Sequence, residues 1–318
     1  MSDWRPSSPP AAAATRAALL ARAREYFAGR DVLEVDTPAL SPFAVSDPNI
    51  ESFAVGTVAG SRYYLHTSPE YCMKRLLAGG YPDIYAVSRV FRDGETGRQH
   101  LCEFTLLEWY RHDFELSEIV ADTIGLVTHC LGGRAPRHAV AVVDYADCVL
   151  QHAGIDVFTA TCDRIAERLD ADAGLRAALG EDRDAWLDLL LDACVVPALP
   201  ADRLTVIRHF PASKAALARL CPADSRVADR FELFAGRTEL ANGYVELTDA
   251  AEQRRRFAAE TDKRRAAGGG VVEGDERLLA ALESGLPACS GVAVGVERLQ
   301  MVHDGTEDIA DVVTFADN

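Results

Sequence analysis

Val90-Phe-Arg-Asp-Gly-Glu-Thr-Gly-Arg-Gln-His-Leu-Cys-Glu-Phe-Thr-Leu-Leu-Glu-Trp-Tyr-Arg111 is the stretch on which the fold turns. Two apolar-rich runs, 83–92 and 103–111, read as strands joined by a polar, glycine-bearing connection. Arg92 stands at the end of the first run. Gly94 and Gly97 loosen the connection, which also carries Asp93, Arg98 and His100. On the returning strand, period-two alternation puts Phe104, Leu106, Glu108 and Tyr110 on one face. A carboxylate, a hydroxyl and an aromatic ring facing a loop with two arginines suit a nucleotide and a polar substrate: guanidinium for phosphate, ring for base. The same pattern also reads as a solvated hairpin with ordinary surface charges.

Working outward, residues 15–30 place Ala18, Leu19, Ala23, Tyr26 and Phe27 at helical spacing, and Gly29 ends the pattern. Ahead of them, residues 1–14 contain Pro6, Pro9, Pro10 and an alanine run and read as a flexible leader. Residues 32–35 form a short strand. Ser68-Pro69-Glu70 opens a helix running to about Leu77, with Ser68 as N-cap and Pro69 in the first turn. Residues 160–200 read as mostly helical and carry no recognisable chemistry. Strand-like sequence returns at 231–247, a charged helix follows near 250–267, and a small-residue strand at 291–295 runs into a helix. With no internal repeat and no evident interdomain linker, 15–318 reads as a single domain.

Two further segments bear chemistry. In 230–247, a two-residue turn at Gly236-Arg237 would pair Phe234 with Glu239 and bring Glu232 to the same face as Glu239. Paired carboxylates repel unless a cation lies between them, and oxygen ligands suit Mg²⁺. Leu240, Asn242 and Glu246 follow on the same strand. The alternative is an edge hairpin defended by charge. In Gly291-Val-Ala-Val-Gly-Val-Glu-Arg298, small residues permit close backbone approach and Arg298 opens a helix within reach of a phosphate. Tight core packing explains that segment equally well.

Bulk composition narrows the class. Hydrophobic residues make up 48% and charged residues 26%, which suits a globular protein. No apolar run approaches the roughly 18 residues of a membrane helix, and no signal peptide is recognisable. Eight cysteines (72, 102, 130, 148, 162, 194, 221 and 289) form no Cys-x-x-Cys pair, a usage that fits reduced thiols in a cytoplasm. Thirty-three basic against forty-nine acidic residues give a net charge of −16. Nucleic-acid affinity rests on neutralised phosphates, so this balance argues against a broad RNA-binding surface, although acidity also simply favours solubility.

Taken in order, these segments resemble the signature motifs of class II aminoacyl-tRNA synthetases, over nearly the whole chain from about residue 15. Val32-Leu-Glu-Val-Asp-Thr-Pro38 looks like motif 1, Phe91-Arg92 through Arg111 like motif 2, and Gly291 to Arg298 like motif 3. Thr67-Ser-Pro-Glu-Tyr-Cys-Met-Lys-Arg-Leu76 and Glu239-Leu-Ala-Asn-Gly-Tyr-Val-Glu-Leu247 point to the lysine branch, and to its short paralogues that pass β-lysine to elongation factor P. The resemblance implies an α/β (α+β) fold, with a mainly antiparallel sheet flanked by helices, and a homodimer through motif 1. It implies ATP and Mg²⁺ as cofactors. Arg92 and Arg298 would be the catalytic phosphate-binding pair, and Asp93, Gly94, His100, Phe104, Glu239, Leu240 and Gly295 would complete the nucleotide site. Glu232 and Glu239 would hold the metal. Ser68, Pro69, Glu70, Tyr110, Asn242, Glu246 and Ala293 would line the amino-acid pocket, with Glu70 and Glu246 offered to the two ammonium groups of the substrate.

Four departures stand out. Gly94 replaces the acid usual two residues after the motif 2 arginine, with Glu95 beside it. Leu101-Cys102 replaces the usual Asn-Pro. Glu297 stands where Asp is common, and Ala293 is shared with the β-lysine ligases where lysyl-tRNA synthetases tend to have glycine. Motif 1 begins almost at once, leaving no room ahead for an anticodon-binding OB domain. The expected activity is therefore ATP-dependent adenylation of a lysine-like amino acid, (R)-β-lysine, and its transfer to a lysine of elongation factor P, with tRNA disfavoured as acceptor. Transfer to another acceptor and a non-catalytic regulatory paralogue are the alternatives.

Overall fold

A proline at the first helical position followed by four alanines starts a helix earlier than the apolar spacing alone indicates, since Pro is preorganised there and Ala is the best helix former. In the computed structural model, which describes residues 4–135, 140–266, 268 and 274–316, helix α1 spans Pro10–Ala28. It takes in residues 10–14 of the expected leader. Ala12 is buried, and its carbonyl accepts a 2.7 Å hydrogen bond from Gln300 Nε2. Residues 1–3 of that leader lie outside the described residues.

The chain forms two compact units, Met1–Ala135 with Glu246–Asn318, and Pro136–Val245. In the first, α1 is followed by β1 (Leu33–Glu34), β2 (Leu40–Ser41), β3 (Ala54–Gly56), β4 (Arg62–Leu65), α2 (Glu70–Ala78), β5 (Ile84–Phe91), β6 (Glu103–His112) and α3 (Leu116–Leu131). The second holds β7 (Ala141–Asp144), α4 (Tyr145–Ala153), α5 (Cys162–Arg168), α6 (Ala173–Leu179), α7 (Arg183–Leu190), β8 (Leu204–Arg208), β9 (Leu220–Cys221), β10 (Asp224–Ala228), β11 (Arg230–Ala235) and β12 (Thr238–Val245). The chain then returns to the first unit as α8 (Ala250–Ala266), α9 (Glu276–Gly285), β13 (Cys289–Gly295) and α10 (Val296–Asp304).

Strands of the first unit run in the order β1-β5-β6-β13, with β1 parallel to β5 and the others antiparallel. The β6–β13 register sets Gly291 against Tyr110, Ala293 against Glu108 and Gly295 against Leu106. The second unit's strands run β12-β11-β8-β7, and here β7 is the parallel member. Both units match the expected class, a mostly antiparallel sheet with flanking helices.

In the first unit α1 and α3 pack together over the sheet. Phe27 stacks on Tyr85 at 4.3 Å between ring centroids, and the buried Asp122 carboxylate accepts from both Tyr26 Oη and Trp109 Nε1. Helix α1 is also tied to α10: Arg16 pairs with the buried Glu297 at 3.0 Å, whose other oxygen accepts from the Thr105 amide on β6. In the second unit Tyr145, Trp186, Leu187, Leu190, Ile207 and Phe210 form the core.

Candidate active site

Apolar residues on either side of β5 and β6 bury this hairpin, which fixes the polar side chains it carries. Glu108 is 3% exposed. Its oxygens accept from Ser68 Oγ at 2.7 Å and Tyr110 Oη at 2.8 Å, the i, i+2 contact that alternation predicts. Ser68 also accepts from the Glu70 amide at 3.0 Å, so the residue expected to cap α2 both caps it and faces the pocket; Pro69 is the formal N-cap. Lys74 lies one turn along α2, with its Nζ 2.6 Å from Glu70 Oε1 and 2.5 Å from Glu246 Oε2. One ammonium touching both carboxylates places Glu70 and Glu246 side by side.

Glu70, Glu108 and Glu246 thus gather around the Lys74 ammonium, two of them buried. Burial, reinforced by Glu70, raises the Glu108 carboxyl to about 7. Burial also raises Glu246 to about 8, against the opposing pull of Lys74. For Lys74 burial disfavours the charged form, but Glu246 and Glu70 outweigh it and hold the ammonium protonated. The second oxygen of Glu246, Oε1, is buried without a hydrogen-bond partner among the described residues. It sits over Gly291, where a Cβ would come within 2.4 Å of both Oε1 and Tyr110 Cε1. Glycine is required there by space alone. Lys74 was not singled out as a functional residue in the sequence, although its i, i+4 spacing from Glu70 was the available signal.

Toward the other end of β6, about 13 Å from Glu108 at strand rise, stand the residues expected to meet the nucleotide. Arg92 places its guanidinium 5.1 Å from the centroid of Phe104. Gly94 adopts φ +80°, a left-handed conformation that would strain an acid at this position. The next residue takes over the contact, with Glu95 Oε1 3.6 Å from Arg92 NH1. Asp93 donates its amide to Glu51 O, anchoring the loop. Arg298, in the first turn of α10, donates to His100 Nε2 at 2.6 Å. Both arginines therefore lie against the β5–β6 hairpin. Gly295 immediately precedes α10, and an added methyl there would find the Arg298 side chain nearest, at 3.8 Å, an ordinary contact. Leu101 departs from the family pattern because it packs with Met301, Ile309 and Val312 in a small apolar cluster.

Glu232, Glu239, Leu240 and Asn242 belong to the second unit. The β11–β12 turn falls at Gly236-Arg237 and pairs Phe234 with Glu239 as expected, but a bulge follows and Glu232 pairs with Asn242. Even so, Glu239 acts on Glu232: burial first, then Glu239, raises the Glu232 carboxyl to about 7. Arg230 NH2 donates to Glu232 Oε1 at 2.6 Å and its Nε reaches Asn242 Oδ1 at 3.3 Å, while Leu240 is buried. Asp188 and Asp192, from the helical stretch that read as chemically silent, add negative charge here, and burial, Asp188 and Glu239 raise Asp192. A carboxylate pair that destabilises its own ionised form has the donor chemistry that Mg²⁺ satisfies.

A family model described as tRNA synthetases class II (D, K and N) matches residues 2–318. The chain is 41% identical over 320 residues to a protein of Photorhabdus laumondii named elongation factor P–(R)-β-lysine ligase, covering 99% of this chain and 97% of that one. Proteins of the same name from Edwardsiella ictaluri and Klebsiella pneumoniae are each 42% identical, over 322 and 318 residues, with at least 97% of every chain covered.

Proposed function

The chain belongs to the class II tRNA synthetases, and from that premise we propose that it is an ATP-dependent ligase. It activates (R)-β-lysine as an adenylate and passes it to a lysine side chain of elongation factor P. The observation that carries this reading is the buried pocket in which Glu70, Glu108 and Glu246 face the single ammonium of Lys74. Burial disfavours the ionised forms of Glu108 and Glu246, so a cation brought into the pocket is what stabilises them as carboxylates, and a diamino acid brings two ammoniums. A substrate lacking an ammonium would leave Glu246 Oε1 without a partner, which is how such a site discriminates. Ser68, Pro69, Tyr110 and Ala293 complete the proposed lining.

For the chemical step, Arg92 is assigned to the α-phosphate and Arg298 to the γ-phosphate, with Phe104 beneath the adenine and Asp93, Gly94, His100 and Gly295 along the nucleotide. The substrate carboxylate attacks the α-phosphorus and pyrophosphate leaves. The arginines act by orienting the phosphates and matching developing charge, with no covalent nucleophile. Glu232 and Glu239 would hold Mg²⁺, which when bound neutralises phosphate charge. The second step joins the activated carbonyl to the acceptor amine and releases AMP. Both units are assigned to one catalytic domain, since the family match runs across them.

A homodimer through motif 1 belongs to the same reading. Leu33 on β1 and Leu40 on β2 are 46% and 51% exposed, the kind of apolar surface an interface covers. Unpaired thiols at all eight cysteines fit a cytoplasmic setting, and no helix among the described residues is long and apolar enough to cross a membrane.

Incubation of elongation factor P with the enzyme, ATP and (R)-β-lysine, followed by mass spectrometry of the intact factor, tests the assignment. The expected result is the added mass of one β-lysyl group. Unmodified factor, alongside pyrophosphate exchange driven by another amino acid, overturns it.

A further inference from the structure

Three side chains of the second unit, none of them part of the Glu232–Glu239 pair, converge. His209 follows β8, Cys221 closes β9 and Asp229 immediately precedes β11, and one donor atom from each lies within 4.8 Å of the others. We propose that His209, Cys221 and Asp229 form a site for a divalent transition metal of the zinc class, with a fourth position open to water.

The surroundings are those of a built site. His209 Nδ1 is 3.0 Å from Asp144 Oδ1. In a neutral ring that bond places the proton on Nδ1 and turns Nε2 toward the cluster, the carboxylate–histidine arrangement found behind ligating imidazoles. Nε2 stands 3.8 Å from Asp229 Oδ1. Asp229 is 4% exposed and its Oδ2 is held by Arg219 Nε at 2.8 Å, so Oδ1 is the oxygen left facing the cluster. Asp144 is itself held by Arg208 Nε at 2.7 Å. Cys221 is a free, half-buried thiol.

Nitrogen, sulfur and oxygen donors together select zinc or cobalt over Mg²⁺, which takes oxygen alone. With metal–ligand bonds of about 2.0–2.3 Å, tetrahedral donors stand roughly 3.3–3.8 Å apart, so the site closes by about 1 Å on binding. Binding releases the Cys221 thiol proton to solvent. The resulting thiolate and the Asp229 carboxylate balance the two positive charges of the ion. The metal would clasp the ends of β8, β9 and β11, whose only covalent connection is the chain itself.

The test is cobalt titration of the full chain, stripped with chelator and kept in excess Mg²⁺ so that the Glu232–Glu239 pair is not read. One equivalent of Co²⁺ is expected, with a thiolate-to-cobalt charge-transfer band and the d–d intensity of a tetrahedral ion, both displaced by Zn²⁺. Cys221→Ser should lose the charge-transfer band, while Cys162→Ser, at another partly exposed cysteine, should keep it. Asp144→Asn should keep the band but weaken zinc about 10- to 100-fold, the usual cost of losing the carboxylate behind a ligating histidine. His209→Gln, which disturbs a different corner, should abolish the tetrahedral d–d intensity. Absence of a thiolate band in the unaltered chain, or its persistence in Cys221→Ser, overturns the proposal.

Discussion

At Gly291 a single hydrogen atom decides whether the amino-acid pocket exists. Gly291→Ala brings a methyl to 2.4 Å from Glu246 Oε1 and from the Tyr110 ring. Overpacking of this kind costs about 1–3 kcal/mol, so the KM for the amino acid in pyrophosphate exchange should rise roughly 5- to 150-fold, with the KM for ATP little changed. Lys74→Met strips the partner from the buried Glu246 and the half-buried Glu70, and denaturant unfolding should show a loss of about 3–5 kcal/mol. Burial raises the Glu108 and Glu246 carboxyls to about 7 and about 8, so the folded chain retains protons that an unfolded chain would already have released. Their contribution to stability is fully present below the ordinary carboxyl value of 4.5, declines as pH rises from there, and is gone once pH has passed 7 to 8. A bound ammonium favours the ionised forms, and calorimetric affinity for a diamino acid should therefore rise over that window, by up to roughly tenfold per pH unit for each proton released. Some of this was legible in sequence: Glu70, Tyr110 and Glu246 carry the family pattern. The role of Lys74 was not, because a lysine four residues after a glutamate is an ordinary feature of a helix surface, and only folding reveals that it is 2% exposed.

Helix α8 shows how an element remote in sequence supports a loop. Its charge pattern reads as solvated, yet Arg264 is 5% exposed, pairs with Glu51 and donates to the carbonyls of Asp47 and Ile50. Glu51 in turn accepts from the Asp93 amide, the residue after Arg92. Arg264→Ala should free this segment: limited proteolysis near residues 47–51 should accelerate, and the KM for ATP should rise about tenfold, a loss near 1.4 kcal/mol. Period-two and helical spacing located the β5–β6 hairpin, β13, α10 and the Gly236-Arg237 turn to within a few residues. They missed the bulge in β12, since an inserted residue leaves no mark on composition. The acidic contribution of Asp188 and Asp192 was equally hidden, because nothing in a helix-forming stretch says which strand it will face.

For the molecule as a whole, a net charge of −16 sets which polyanions it will tolerate. Filter binding with a lysine tRNA at physiological salt should show retention no greater than that of an acidic control protein, and a saturable complex would redirect the choice of acceptor. Fold class was legible because three ordered motifs constrain the path of the chain more tightly than any local propensity. The extent of α1 was not, since proline and alanine repeats at a terminus look like linker. Yet that first turn carries the Ala12 carbonyl bonded to Gln300, and Arg16 a turn later grips Glu297, the residue beside Arg298. Anyone trimming fourteen residues to tidy an expression clone would be cutting a brace, and should expect a lower melting temperature and slacker turnover from what was meant to be a harmless edit.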